Sequence, residues 1–94
     1  MIDIKVFSKN GCRYCGPVLL FLSEKETELT NATITYTNID ELLPEVRGTV
    51  IAKYKIQSAP TLIFERNGHE MARSSGITAI ESFEDCLQYA REAK

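Results

Sequence analysis

The sequence predicts one α/β domain in which a small, four-stranded mixed sheet is sandwiched between helices. Residues 2–38 follow the order strand, helix, strand, which predicts a βαβ unit with parallel strands and a right-handed crossover. Asn67-Gly68 separates two further strand-like runs, and this dipeptide favours a two-residue antiparallel hairpin. An amphipathic helix follows, so the expected order is βαβ-α-ββ-α in three α/β/α layers.

Length and composition exclude several classes of protein. At 94 residues we expect a single domain spanning 1–94, which is too short for a doubly wound nucleotide-binding enzyme. Hydrophobic residues make up 44% and charged residues 26%, which argues against a disordered chain. The net charge is -2, and Lys and Arg are scattered among Asp and Glu. This charge pattern disfavours a nucleic-acid partner.

The N-terminal segment does not resemble a targeting sequence. Residues 1–7 alternate between apolar and polar, and Asp3 stands where a signal peptide would have a basic start. No run approaches the roughly 20 apolar residues that a spanning helix needs. We therefore expect a cytoplasmic protein without a membrane partner, in a compartment where thiols stay reduced. We also expect a monomer.

The first half of the chain divides into two strands and a helix. Alternating apolar residues predict a strand at 2–8. Apolar residues at helical spacing predict a helix from about 13 to 29, with Pro17 in the first turn, where its missing N–H costs little. Asn31 is a candidate C-cap for this helix, and β-branched residues predict a second strand at 33–37.

The second half begins with a helix that Asp40 would cap and that would run to about residue 54. Strands are expected at 61–66 and 69–74, on either side of the hairpin turn. Gly76 would end the second of these strands. Residues 78–81 (TAIE) match a capping box for the last helix. The apolar stripe of that helix comprises Ile80, Phe83, Leu87 and Ala90.

The C-x-x-C spacing of Cys12 and Cys15 is the most informative feature of the chain. Cys12 is expected at or just before a helix start, where free N–H groups and the helix macrodipole favour an anion. Lys9 and Arg13 add positive charge, so we expect the pKa of the Cys12 thiol to lie below its free value of about 8.5. Cys15 should be more shielded. The asymmetry predicts that Cys12 attacks a substrate disulfide and that Cys15 resolves the mixed disulfide.

Other interpretations of the cysteines remain open. A C-x-x-C pair is also half of a zinc site, but two more ligands are needed. The candidates, His69 and Cys86, have no metal-like spacing, so we predict no metal. Cys86 is interpreted as a small buried helix residue and His69 as an exposed, inert one. Tyr14, between the two cysteines, is either a surface aromatic or a substrate contact, and a pair of cysteines without any chemistry stays open.

Three segments together resemble the thioredoxin superfamily over essentially the whole chain: residues 12–17 (CRYCGP), residues 58–61 (SAPT) and Gly76. The resemblance implies a thioredoxin-like fold of glutaredoxin size. It also implies that the Ala59–Pro60 peptide bond is cis, that Pro60 packs against the dithiol, and that the Ala59 backbone pairs with substrate. The expected substrate-binding residues are Arg13, Tyr14, Ala59, Pro60 and Gly76.

The resemblance divides between two branches of that superfamily. The first strand leads directly to the cysteine motif, which contains Tyr14, as in glutaredoxins. Residues 55–62 (KIQSAPTL) are similar to thioredoxins. Glutaredoxins that bind glutathione usually carry a second glycine and an acid ahead of the last helix, and residues 75–79 (SGITA) lack both. The thioredoxin pattern is also incomplete, because Gly11 stands at the position of a Trp and Val6 at that of a buried Asp.

These features predict a thiol-disulfide oxidoreductase that reduces protein disulfides by cycling Cys12 and Cys15 between dithiol and disulfide. The redox-active disulfide would be its redox group, with no bound cofactor. The expected partners are disulfide-containing client proteins and a flavin-dependent electron donor of the thioredoxin reductase type. Three alternatives stay open: a glutaredoxin that uses glutathione, a metal-binding module built on the two cysteines, and a redox-inert scaffold.

Overall fold

The computed structural model describes residues 1–93, which form a four-stranded mixed sheet with helices on both faces. The strands are β1 (Ile2–Ser8), β2 (Ala32–Asn38), β3 (Thr61–Arg66) and β4 (His69–Ser75). The helices are α1 (Cys15–Lys25), α2 (Pro44–Tyr54), α3 (Thr78–Glu81) and α4 (Phe83–Glu92), with a 3₁₀ turn at Ile39–Glu41. The expected class and element order are confirmed, although the last helix is divided into two pieces.

The strands lie in the order β2-β1-β3-β4. β1 and β2 run parallel, with Ser8 beside Asn38 at their carboxyl ends, as a βαβ unit requires. β3 pairs antiparallel with both β1 and β4. Asn67 and Gly68, which connect β3 to β4, have φ of 55° and 81°. Positive φ at both positions is the property of a type I′ hairpin turn, so the expected hairpin is confirmed.

Successive side chains of a strand point to opposite faces of the sheet. Both faces of the central strands are buried because helices cover both of them. One face packs against α1, α3 and α4, and the other packs against α2. The core of the first face includes Ile4, Val6, Val18, Leu22, Leu62, Phe64, Phe83 and Leu87. The core of the second face consists of Phe7, Ile39, Ile56 and Ile63. The larger, first cluster holds α1 and therefore the segment that carries the cysteines.

α1 is shorter at both ends than the expected 13–29. Tyr14 occupies its N-cap position and Glu26 its C-cap position, so the assignment of Asn31 as C-cap was wrong. Asn31 has φ of 55°, and its carbonyl accepts a hydrogen bond of 3.0 Å from the backbone N–H of Ile2. Asparagine tolerates the left-handed region better than most residues, so its presence near a helix end is compatible with a cap or a turn.

Two later helix starts also differ from the expectation. Asp40 lies in the 3₁₀ turn and does not cap α2, because Leu43 is extended with ψ of 146°. A residue that precedes a proline avoids the helical region, and Pro44 is then well suited to the first position of α2. The expected capping box is also absent from the described chain. The Thr78 hydroxyl donates to the Ser75 carbonyl at 2.7 Å and lies inside α3.

A cross-strand ion pair lies on the α2 face of the sheet. Lys5 Nζ is 2.6 Å from Glu65 Oε1, and the Glu65 side chain is only 10% exposed. The hydrogen bond to Glu65 raises the pKa of Lys5 above its ordinary value of 10.5. Since the folded pKa is the higher one, the pair stabilises the fold at pH values below about 10.5. This contribution is lost as the pH rises through the folded pKa of Lys5.

Replacing Lys5 with methionine should therefore reduce the dependence of stability on alkaline pH. We expect the urea midpoint of the unaltered protein to fall more between about pH 9 and pH 11.5 than that of Lys5→Met. Lys9→Met is the control, because Lys9 is exposed and forms no ion pair within residues 1–93. If Lys5→Met and Lys9→Met show the same alkaline loss, the Lys5–Glu65 pair does not contribute as described.

Candidate active site

One edge of the sheet collects the segments that the sequence analysis singled out. Ser8 at the end of β1 lies beside Asn38 at the end of β2. On the other side of β1, Phe7 lies opposite Thr61 at the start of β3, and Thr61 lies opposite Ser75 at the end of β4. The loops that leave the sheet at this edge are 9–14, 39–43, 55–60 and 76–77. The cysteine motif and the proline motif therefore share one edge.

The two cysteines of the motif differ in exposure. They form a disulfide, with Cα atoms 5.4 Å apart. Cys15 is the first residue of α1 and is 5% exposed, whereas Cys12 lies in the preceding loop and is half-buried. Cys12 is therefore the cysteine that a large partner reaches more easily, as the sequence analysis expected.

The start of α1 is open to an anion. Tyr14 accepts the first helical hydrogen bond, from the Val18 N–H at 3.2 Å, and Pro17 lies in the first turn as expected. Within residues 1–93, no side chain caps this end of α1, and its first turn contains no acidic residue. The free N–H groups and the positive end of the macrodipole are thus available to a negative charge on Cys12.

Three further residues of the predicted site surround the cysteines in sequence. The guanidinium carbon of Arg13 lies 5.5 Å from the centre of the Tyr14 ring, which is a cation–π arrangement. Tyr14 is half-buried, while Arg13 and Lys9 are exposed. In the described part of the chain, neither Arg13 nor Lys9 forms an ion pair. Their charges are consequently not neutralised by a carboxylate of that part of the chain.

Two hydrogen bonds of Asn10 connect the loop that leads to Cys12 with Asn38 and Asp40. Its backbone N–H donates to Asp40 Oδ2 at 2.8 Å, and its side-chain oxygen accepts from the Asn38 amide at 3.0 Å. Asp40, which the sequence pattern placed at a helix cap, therefore holds the loop before Cys12 instead. No local pattern indicates the pairing of Asn10 with Asp40, because the two residues are 30 positions apart.

The Ala59–Pro60 peptide bond is cis, in agreement with the resemblance. Pro60 is buried, and its carbonyl accepts a 3.0 Å hydrogen bond from the N–H of Gly76, which joins the two loops. Gly76 has φ of 63°, a conformation that favours glycine. Within residues 1–93, the backbone N–H and carbonyl of the half-buried Ala59 make no hydrogen bond. Both groups are thus available to an extended peptide.

The sheet face beneath α1 is mainly apolar, although it includes the buried Ser8 at the end of β1. Val6 is buried there, at the position that the resemblance associates with an aspartate. The buried carboxylate of residues 1–93 is Glu65, which lies on the opposite face with Lys5. The described strands therefore place no buried carboxylate on the side of the cysteines.

The remaining candidates lie apart from the cysteine motif in the fold. His69 is exposed on β4, and Cys86 is half-buried on α4 against the larger core cluster. Across residues 1–93, no three His, Cys, Asp or Glu side chains are grouped so that they could hold a metal ion. None of the helices in this range has the length and apolar character needed to cross a membrane.

The sequence of the chain matches no protein-family model and no curated protein sequence. Solved structures do match its fold. Thioredoxin O2 from Arabidopsis thaliana in the oxidized state has a TM-score of 0.79 and 20% identity, over 96% of this chain and 76% of that one. Thioredoxin from Fasciola hepatica has a TM-score of 0.80 and 18% identity, over 95% and 80% of the two chains. A mutant thioredoxin from Halobacterium salinarum NRC-1 has a TM-score of 0.75 and 19% identity, over 95% of this chain and 74% of that one.

These similarities establish the thioredoxin fold of this chain. The expected fold class is confirmed, and a disulfide between Cys12 and Cys15 stands at the beginning of its first helix.

Proposed function

We propose that the protein is a thiol-disulfide oxidoreductase that reduces disulfides in client proteins. The observation that carries the proposal is the unequal burial of Cys12 and Cys15 at the uncapped start of α1. The more exposed cysteine is suited to attack on a client, and the shielded one to intramolecular resolution. This division assigns the role of nucleophile to Cys12 and the role of resolving thiol to Cys15.

The proposed reaction consists of two thiol-disulfide exchanges. The thiolate of Cys12 attacks one sulfur of the client disulfide, and the other client sulfur leaves as a thiolate that takes a proton from solvent. Cys15 then loses its proton and attacks the Cys12 sulfur, which breaks the mixed disulfide and releases the second client thiol. The client gains two electrons and two protons, and the protein becomes the Cys12–Cys15 disulfide.

The surrounding groups would assist these steps in different ways. The free N–H groups of α1 favour the thiolate of Cys12, and the charges of Lys9 and Arg13 act in the same direction. The Ala59 backbone would pair with the client segment as a short added strand. Because the described strands place no buried carboxylate beneath α1, the proton of Cys15 would pass to water.

For the return to the dithiol we favour a flavin-dependent electron donor of the thioredoxin reductase type over glutathione. Glutathione carries two carboxylates, which need charged or hydrogen-bonding partners. Ile77 is exposed and apolar, Ala79 is fully buried, and the Thr78 hydroxyl already donates to Ser75. A missing charge-assisted hydrogen bond costs about 1.5–3 kcal/mol, or roughly tenfold to a hundredfold in affinity. We propose the cytoplasm as the compartment, since it supplies such reducing donors.

A comparison of two electron donors tests this proposal. Reduction of insulin disulfides should proceed with NADPH and a thioredoxin reductase, and should be at least about tenfold slower with glutathione and its reductase. Cys86→Ser should retain activity, because Cys86 is a free cysteine on α4 and does not belong to the disulfide pair. Efficient turnover on glutathione alone would favour the glutaredoxin alternative. Absence of turnover with either donor would refute the oxidoreductase assignment.

A further inference from the structure

The side chain of Arg73 on β4 connects this strand to the end of α2, where loop 55–60 begins. Its Nε and Nη2 each lie 2.6 Å from a carboxylate oxygen of Glu70. Nη2 also donates to the Tyr54 carbonyl at 2.8 Å, and Nη1 donates to the Lys55 carbonyl at 3.3 Å. A bidentate carboxylate contact restricts the orientation of a guanidinium. Glu70 thus orients the Arg73 guanidinium toward the carbonyls at the end of α2.

The end of α2 has carbonyl groups that need such donors. The last carbonyls of a helix lack partners within the helix. After Tyr54 the chain turns through Lys55, whose φ is 53°, a region that a residue with a side chain seldom adopts. The turn is closed on the other side by a hydrogen bond of 3.0 Å from the Ile56 N–H to the Ile51 carbonyl. Arg73 therefore stabilises a turn in which Lys55 adopts a backbone conformation that lysine disfavours.

This turn begins the loop 55–60, which ends at the cis proline. The far end of the loop is joined to the end of β4 by the hydrogen bond between Pro60 and Gly76. Between the two attachments, the exposed Gln57 and Ser58 border a cavity of about 120 Å³ that Arg73 also lines. Gln57 and Ser58 are therefore not packed into the core. The start of the loop is held by the buried Ile56 and by Arg73, and its end by the buried Pro60 and the hydrogen bond to Gly76. Between them, the Thr61 hydroxyl donates to the Ser58 carbonyl at 2.6 Å.

From this geometry we propose that Arg73 is a positioning residue for client binding. It holds loop 55–60 so that the free N–H and carbonyl of Ala59 are presented to an extended client segment. The inference rests on the proposed function and extends it to a residue outside both sequence motifs. Arg73 acts through the loop and does not touch the client, so its loss should weaken client binding and leave the exchange chemistry of Cys12 unchanged.

Arg66 provides a matched control on the same sheet. Its Nη1 donates to the carbonyls of Ala90 at 2.9 Å and Arg91 at 3.0 Å, and its Nη2 donates to the Ala93 carbonyl. Like Arg73, it satisfies carbonyls at the end of a helix. Arg66 is the last residue of β3, however, and so lies at the edge of the sheet away from loop 55–60. Removal of either guanidinium removes hydrogen bonds to helix-end carbonyls, but only those of Arg73 reach the beginning of loop 55–60.

The test compares Arg73→Ala, Arg73→Lys and Arg66→Ala in the full chain. With a thioredoxin reductase as donor, Arg73→Ala should raise the KM for insulin about fivefold or more, with kcat within about twofold. The rate at which the reduced protein cleaves the small disulfide DTNB should stay within about twofold, because DTNB needs no strand pairing. The KM of Arg73→Lys should lie between those of Arg73→Ala and the unaltered protein, and Arg66→Ala should leave the KM unchanged. An unchanged KM in Arg73→Ala, or an equal rise in Arg66→Ala, would overturn the proposal.

Hydrogen exchange separates this inference from the proposed function. In the oxidised protein, the amide of Ile56, which donates to the Ile51 carbonyl, should exchange faster in Arg73→Ala than in the unaltered chain, and Arg66→Ala should not have this effect. Unchanged exchange in Arg73→Ala would overturn the inference whatever the activity. If the unaltered protein reduces no client disulfide with any donor, the proposed function fails. Faster exchange would then still support the attachment of the loop by Arg73.

Discussion

The Cys12→Ser variant should reduce insulin at a rate at least about a thousandfold below that of the unaltered protein, because a serine hydroxyl cannot replace the attacking thiolate. Cys15→Ser should retain the first exchange but lack the thiol that resolves it. It should therefore accumulate a mixed disulfide between Cys12 and the client. Turnover in the reductase-coupled assay measures the first effect, and intact-mass spectrometry of the client adduct measures the second.

The assignment of the two cysteines can also fail in identifiable ways. An adduct that forms on Cys12→Ser but not on Cys15→Ser would reverse the roles. Alkylation of the reduced protein near neutral pH should label Cys12 before Cys15, since Cys12 is more exposed and lies just before the start of α1. Equal labelling would contradict the proposed asymmetry. Cys86→Ser serves as the control for loss of a thiol without loss of the pair.

The Phe83→Ala variant should cause the largest loss of stability among the substitutions considered. Phe83 is fully buried, and its ring centre lies 5.4 Å from that of Phe21 and 5.6 Å from that of Phe64. Truncation of a buried phenylalanine lowers the free energy of unfolding by about 3–5 kcal/mol. A small domain has a total of about 5–15 kcal/mol, so a large share of its stability would be lost. The shift of the urea midpoint of the oxidised protein, at constant m, gives the value.

Tyr89→Ala is the matched control, because Tyr89 belongs to the same helix but is 59% exposed. Its effect should stay within about 0.5 kcal/mol. Phe83→Leu leaves a smaller void and should lose less stability than Phe83→Ala, which keeps the measurement accessible if the alanine variant does not fold. If Phe83→Ala lowers the free energy of unfolding no more than Tyr89→Ala does, the larger core cluster does not stabilise the fold as described.

The strands and the hairpin could be predicted from the sequence because their signals are local. The limits expected for the first strand (2–8) and for the third (61–66) agree with the structure at both ends. Apolar alternation and β-branched residues act over neighbouring positions. Asn67-Gly68 specifies its turn through its own backbone preferences. The apolar spacing after residue 13, with Pro17 in the first turn, likewise placed the cysteine pair at a helix start without any knowledge of the sheet.

The helix ends were less predictable, because a capping side chain has more than one available partner. Asp40 accepts from the backbone of Asn10 instead of capping α2, and Thr78 donates back to Ser75 instead of accepting from α3. Leu43 is extended because it precedes a proline, which delays the start of α2. Short polar side chains form whichever hydrogen bond the nearby backbone offers, so their local pattern specifies a cap only in part.

The sequence by itself determined the elements, their order and the pair of cysteines that the proposed chemistry requires. Only the tertiary structure decided how these parts combine at one edge of the sheet. The isomer of the Ala59–Pro60 bond depends on its surroundings, and the residue types alone favour trans. The contacts of Asn10 with Asp40 and of Arg73 with Tyr54 join residues 30 and 19 positions apart. Such contacts have no periodicity in the chain, because strand register and helix packing bring the partners together only in the folded protein.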